Sequence, residues 1–353
     1  MLKNKYQVLA GYSIIHAIVD FVSVTMVLAS VFLSSFNLEL AVIIVIVYNL
    51  SAFGLQAPIG ILVDKLKAPK ESALLACVLL LLSLPFYLNP IFVVILTGLG
   101  NALFHVGGGS ISLNISKKKA LYPGLFVAPG ALGLSLGVLV GSSGSIPFIL
   151  LLSLLLISIL FIVFSKTPEI NYTKSLKSKQ KINYFYLIII FLLISVSIRS
   201  LYGLSAVFVW KTGSFWLFTL TMAIVLGKGL GGLIADKLGW QKTAIIALGI
   251  SAPLLAFFPS QPFLAIAGAF FFQMTMPITL TAISNMMPGK SATAFGLTVF
   301  ALALGTLPIY FSSENIFRNK YLIFSIIVLS LVFLVFSFKH LKPYFRDELK
   351  IKV

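Results

Sequence analysis

Five ionisable side chains lie inside long apolar stretches of the chain: His16, Asp20, His105, Arg199 and Lys228. Such placement is costly, which makes each a candidate for function. His16 and Asp20 are four residues apart and so share one face of a helix. With a helical rise of about 1.5 Å per residue, both fall near the middle of the first stretch, and His105 falls near the middle of the fourth. A carboxylate beside imidazoles is a candidate proton carrier, because histidine titrates near neutrality and burial moves a carboxyl towards that range. The plainer alternative is that His16 and Asp20 bond each other or a backbone carbonyl. Two His and one Asp could also form a metal triad. Spacing across distant stretches gives that no specific support, so no metal ligand is assigned.

Arg199 and Lys228 have no acidic partner within their own stretches. Lys228 precedes Asp236 by eight residues, about 12 Å along a helix. Asp20 is the one acid at mid-stretch, against two cations and two histidines. If all face one space, that space is net positive and suits an anionic solute such as a carboxylate or phosphate, which Arg can grip with two hydrogen bonds. The alternatives are that Arg199 turns outward or pairs with Asp20, and that Lys228 reaches a membrane interface. Asn49, Gln56 and Tyr202 are weaker polar candidates. Asn101 and Gln273 are separated by 172 positions and join the solute-binding candidates.

The stretches that hold these residues set the class of protein. The chain has 353 residues, 59% of them hydrophobic and only 10% charged, with a mean hydropathy of +1.08. An ordinary soluble domain carries about 25% charged residues, so a soluble enzyme, a disordered chain and a soluble nucleic-acid binder are all excluded. Apolar runs of about 20 residues span a membrane as helices, and these runs are continuous rather than alternating, which excludes a porin-like barrel. Twelve runs are found, near 8–32, 40–63, 72–88, 91–115, 121–142 and 146–165, then 183–207, 213–235, 242–258, 262–286, 291–311 and 321–339. The expectation is an all-α membrane protein of twelve transmembrane helices, with short links and no soluble domain. Cys77 is the single cysteine, so no intrachain disulfide or cysteine metal framework exists. The first run has no small-residue cleavage site behind it, so no cleavable signal is expected. No nucleophile with a base, phosphate-cradling loop or metal-ligand cluster stands out, so neither an enzyme nor a cofactor is expected.

Charge fixes the expected orientation. With the N-terminus inside, 21 of the 26 Lys and Arg residues fall on the cytoplasmic side and three outside, which predicts N-in and C-in. The net charge of +17 is then topological and requires no nucleic acid. The longest polar stretch, KTPEINYTKSLKSKQK, divides the chain. The expected domains are a six-helix half over 1–165, a solvated cytoplasmic linker over 166–182, a second half over 183–340 and a cytoplasmic tail over 341–353. Contact of the linker with anionic lipid is the alternative.

The halves repeat at an offset of 172. GILVDKL holds Gly60, Asp64 and Lys65, and GLIADKL holds Gly232, Asp236 and Lys237. Gly124 and Gly133 likewise match Gly296 and Gly305. Parallel duplicated halves imply a pseudo-two-fold axis along the membrane normal.

These features resemble the major facilitator superfamily of secondary transporters over nearly the whole chain. The resemblance implies a central cavity lined by spans one, four, seven and ten, onto which His16, Asp20 and His105 would converge, with Asn101 and Gln273 alongside. It implies that the two Gly-Asp-Lys segments act as a cytoplasmic gate. The first copy departs from the pattern, with Lys67 where a second Gly is usual. SIIHAIVDF, YNLSAFGLQAPIGILVDK and GLGNALFHVGGGS further resemble the fosmidomycin-resistance branch of drug exporters. Here Val106 and Gly107 replace the Pro and acid usual after the fourth-span His. Gly133, Gly137 and Gly141 suit close helix packing, and Pro129-Gly130 matches the superfamily's antiporter signature only loosely.

The expected function is therefore proton-coupled export of a small anionic organic solute by alternating access. The expected partners are that solute, protons and membrane lipid, and the protein is expected to be a monomer in a prokaryotic cell membrane. A uniporter, an importer, a metal-ion exporter and a receptor-like ligand-binding membrane protein are the alternatives.

Overall fold

A computed structural model describes residues 4–34, 36–116, 118–173, 184–311 and 319–349, with side chains described to 341. Most of the expected linker, 174–182, and the end of the expected tail, 350–353, lie outside the described residues.

The first half runs α1 (Lys5–Leu33), α2 (Leu38–Asn49), α3 (Gln56–Leu66), α4 (Pro69–Ser83), α5 (Pro90–Ile115), α6 (Leu121–Gly141) and α7 (Phe148–Phe164). The second runs α8 (Phe185–Ser205), α9 (Ser214–Leu238), α10 (Trp240–Phe257), α11 (Pro262–Gln273), α12 (Thr275–Met286), α13 (Ser291–Phe311) and α14 (Lys320–Leu349). Among the described residues, eleven helical segments are long and apolar enough to cross a membrane. Phe148–Phe164, in the place of the expected sixth span, is apolar but shorter. The chain is thus an integral, multi-pass, all-helical membrane protein. The last helix runs on to Leu349, past the expected end of its span at 339.

Two spans are broken, and prolines account for both breaks. A proline has no amide to bond the carbonyl four residues back. Pro58 frees that of Gly54, and the five residues Leu50–Gly54 form a π-helical turn between α2 and α3. Pro277 frees the carbonyl of Gln273, and the helix is interrupted at Met274, between α11 and α12. Pi turns inside helices frequently mark functional sites.

The described chain forms two compact units. One comprises Met1–Ile115, Pro129–Tyr172 and Gly289–Phe300. The other comprises Ser116–Ala128, Thr173–Pro288 and Ala301–Val353. The unit boundaries cut two helices: the start of α13 falls with the first unit, and the start of α6 with the second.

Within the first unit, α4 lies close against α5, because Gly107 lets the backbones approach. A Cβ there would stand 2.4 Å from the Pro69 carbonyl oxygen. Helix α1 lies on the same α5, through Tyr12 stacked on Phe104 at 6.4 Å. This packing brings the polar face of α1 to the middle of α5.

Candidate functional site

Three polar clusters emerge. The first is built from α1 and α5. His16 and Asp20 project from one face of α1, and Asn101 and His105 from one face of α5, and all four are buried. His16 Nε2 and His105 Nε2 stand 2.9 Å apart. His16 Nε2 lies 3.3 Å from Asp20 Oδ2, and His105 Nε2 lies 3.6 Å from Asp20 Oδ1. Asn101 Nδ2 donates to Asp20 Oδ1 at 2.9 Å. His105 Nδ1 is 2.9 Å from the Asn101 carbonyl oxygen. A carbonyl only accepts, so Nδ1 carries a proton and donates it, and Nε2 faces the cluster. Asn101 Oδ1 is buried with no hydrogen-bond partner among the described residues. The rings of Phe53, Phe104 and Phe295 stand 6.2 to 6.4 Å from the imidazoles. Gly130, beside Pro129 in α6, completes the wall. A Cβ there would stand 2.6 Å from His16 Nε2 and 2.8 Å from Asp20 Oδ2.

The second cluster surrounds Arg199 on α8, which is 7% exposed. Its Nε donates to the Ser195 carbonyl at 3.1 Å, one turn back. One terminal nitrogen donates to the Thr275 hydroxyl, and the other to the Thr279 hydroxyl at 2.8 Å. Both threonines lie on α12, just past the break at Met274. No carboxylate among the described residues pairs with this guanidinium. Among the described residues this buried cation is held by neutral acceptors alone.

The third feature is a pair of carboxylate clamps. Asp64, near the end of α3, accepts from the backbone amides of Ala292 at 3.2 Å and Thr293 at 2.7 Å. It also accepts from the Thr293 hydroxyl at 2.7 Å. These are unpaired amides in the first turn of α13, where the helix dipole favours a negative charge. Asp236, near the end of α9, accepts at 2.9 Å from the amides of Ala120 and Leu121 at the start of α6. Trp240 Nε1 donates to it at 3.2 Å. The donors of the two clamps are themselves 172 positions apart. Glycine permits each approach: a Cβ at Gly60 would stand 2.5 Å from the Ala292 carbonyl oxygen, and one at Gly232 would stand 2.3 Å from that of Ala120.

Lys65 and Lys237 are exposed beside the clamps. Lys67 caps α3 in the left-handed conformation, φ 56°, where its counterpart in the repeat, Gly239, has φ 103°. Tyr172 buries its hydroxyl in the same unit as Asp64. Burial pushes that hydroxyl up to about 12, and the carboxylates of Asp64 and Glu71 add to the effect.

The structure brings His16, Asp20, His105 and Asn101 together, and it buries Arg199. Neither Lys228 nor Gln273 is a hydrogen-bond partner of Arg199. Both are half-buried, on α9 and at the end of α11. Thr275, Thr279 and Thr293 are site residues that the sequence did not single out.

No family model matches the chain, and no curated protein matches it. Solved structures do. A crystal structure of FucP, a transporter of the major facilitator superfamily, in the outward conformation superposes with a TM-score of 0.71 at 13% identity, over 94% of this chain and 98% of that one. A variant of the E. coli fucose:proton symporter FucP gives 0.67 at 12% identity, with the same coverage of both chains. The chain therefore has the major facilitator fold.

Proposed function

We propose that the protein is a secondary transporter of the major facilitator superfamily that carries a small organic anion by alternating access. The doubled clamp carries this reading. Two equivalent carboxylates each hold the start of an equivalent helix through a few hydrogen bonds, an arrangement that can be released on one side of a cycle and remade. The fold's transporter neighbours support the same reading. In it the clamps lie on the cytoplasmic side, both termini are inside, and the domains are the two six-span halves with 166–182 linking them.

The solute is assigned to Arg199, because a buried cation without an acidic partner favours an anion. Asn101, Gln273 and Lys228 remain proposed contributors to binding. The cation of the cycle is assigned to Asp20, His16 and His105, and the proton expected from the sequence is one such cation. Export, and descent from the fosmidomycin-resistance branch, rest on the three matching segments in α1, α2–α3 and α5. A prokaryotic cell membrane and a monomer complete the proposal.

The test is a thermal-shift panel of phosphate, phosphonates, aromatic carboxylates and organic cations on the purified protein. Flux of the best ligand is then followed in proteoliposomes. An anion at a hundred times its dissociation constant should stabilise by about 2.7 kcal/mol. That shift and the flux should both vanish in Arg199→Gln. Stabilisation only by cations, or anion shifts indifferent to Arg199, would overturn the anion assignment. Tight binding without flux would favour the receptor-like alternative.

A further inference from the structure

We infer that His16, His105, Asp20 and Asn101 bind a divalent first-row transition-metal ion, which is the cation carried in the proposed cycle. The inference rests on the reading of this cluster as the cation site and names the class of ion.

The donor geometry carries it. Donors about 2.0–2.2 Å from a tetrahedral ion stand roughly 3.3–3.6 Å from one another. The separations here are 2.9 Å for His16 Nε2 to His105 Nε2, 3.3 Å for His16 Nε2 to Asp20 Oδ2, and 3.6 Å for His105 Nε2 to Asp20 Oδ1. Shifts of a few tenths of an ångström make this an ion's coordination triangle. One donor atom from each of the three residues lies within 4.8 Å of the others.

The surroundings match what such ions require. His105 gives its Nδ1 proton to the Asn101 carbonyl at 2.9 Å. That outer bond fixes the tautomer and aims Nε2, as in most metal-binding histidines. Asn101 also holds Asp20 Oδ1 through Nδ2, while its own Oδ1 is buried and unpartnered. That oxygen is available as a fourth donor. Two imidazoles with oxygen donors suit Zn²⁺, Co²⁺, Mn²⁺ or Fe²⁺, whereas Ca²⁺ and Mg²⁺ take all-oxygen shells.

A purely structural network accounts for less. One proton between the imidazoles explains the 2.9 Å contact. Charge pairing with Asp20 covers the 3.6 Å approach of His105, but the network leaves Asn101 Oδ1 unmet.

The test titrates chelator-treated, purified full-length protein with Co²⁺, read by visible absorption, and with Zn²⁺, read by calorimetry. The expected result is one ion per chain and the ligand-field bands of imidazole-bound Co²⁺. His105→Gln and Asp20→Asn should each weaken binding at least tenfold, Asn101→Ala several-fold, and His340→Gln, on α14 beside Phe336, not at all. The Co²⁺ bands of the wild type report ligation even if a variant fails to fold. No stoichiometric binding, or binding unchanged in both His105→Gln and Asp20→Asn, overturns the inference. Solute flux that persists in excess chelator without bound metal overturns it too, yet leaves the transporter reading standing. Metal binding as described, with no flux of any solute or ion, supports the site and overturns the transporter reading alone.

Discussion

Asp64 and Thr293 are joined twice: the carboxylate takes both the amide and the hydroxyl of Thr293, each at 2.7 Å. Asp236 holds Leu121 by its amide at 2.9 Å, and each member of this second pair is 172 positions from its counterpart. The repeat therefore extends beyond residue types to a pair of interactions. Each fixes the first turn of a helix that passes into the other compact unit only later, after Phe300 in α13 and after Ala128 in α6.

Removing a clamp should free that turn. Hydrogen bonds to a charged group contribute about 1.5–3 kcal/mol each, less when water replaces the lost partner. For Asp64→Ala we expect a net loss of about 2 kcal/mol, roughly thirty-fold in the local closing equilibrium. Hydrogen exchange should quicken at 291–295 in Asp64→Ala and at 120–124 in Asp236→Ala. Asp64→Asn, which keeps one acceptor, should fall between.

A methyl group on either approach glycine should act alike. Gly60→Ala and Gly232→Ala place a Cβ 2.5 Å and 2.3 Å from backbone oxygens, which cannot step aside as a side chain can. Overpacking of this kind costs about 1–3 kcal/mol. Gly229→Ala, whose Cβ would meet only Ala128 Cβ at 3.8 Å, should be close to neutral. Thermal unfolding of the three variants checks this ordering.

Much of this was legible in the sequence, and the limits are physical. The offset of 172 located both carboxylates because Gly, Asp and Lys carry a clear pattern. Their partners were invisible because backbone amides of Ala292, Ala120 and Leu121 leave no mark in residue type. Convergence of His105 on His16 and Asp20 came from the family resemblance, since spacing says nothing about which helices touch. Thr275 and Thr279 were missed because a threonine in a helix ordinarily bonds the carbonyl a turn back, and Thr279 does so as well. For Lys228 and Gln273, hydropathy gave the span but not the rotation of the helix that carries them.

The charge at Arg199 separates function from scaffolding. A buried cation with only hydroxyl and carbonyl partners adds little to stability, because desolvation offsets its bonds. Arg199→Gln should thus unfold within about 1 kcal/mol of the wild type while losing anion binding. Arg199→Lys keeps the charge but cannot fork to Thr275 and Thr279 together, so it should bind anions more weakly. A large stability loss in Arg199→Gln with unchanged anion binding would make the residue structural.

Lys67 stands where the second copy of the repeat has Gly239. Its left-handed backbone costs an ordinary residue about 1–2 kcal/mol relative to glycine. Lys67→Gly should raise stability by about 1 kcal/mol, less the greater freedom that glycine gives the unfolded chain. Calorimetry of the two proteins reads the difference directly.

The most direct test of the account is the split between binding and turnover in the double variant Asp64→Asn/Asp236→Asn. Solute binding would be measured by thermal shift and flux in proteoliposomes, both against the wild type. If the clamps serve an alternating cycle, binding stays within a few-fold and flux falls at least tenfold. Flux that survives at the wild-type rate would contradict the account, because the paired carboxylates would then be ordinary helix caps.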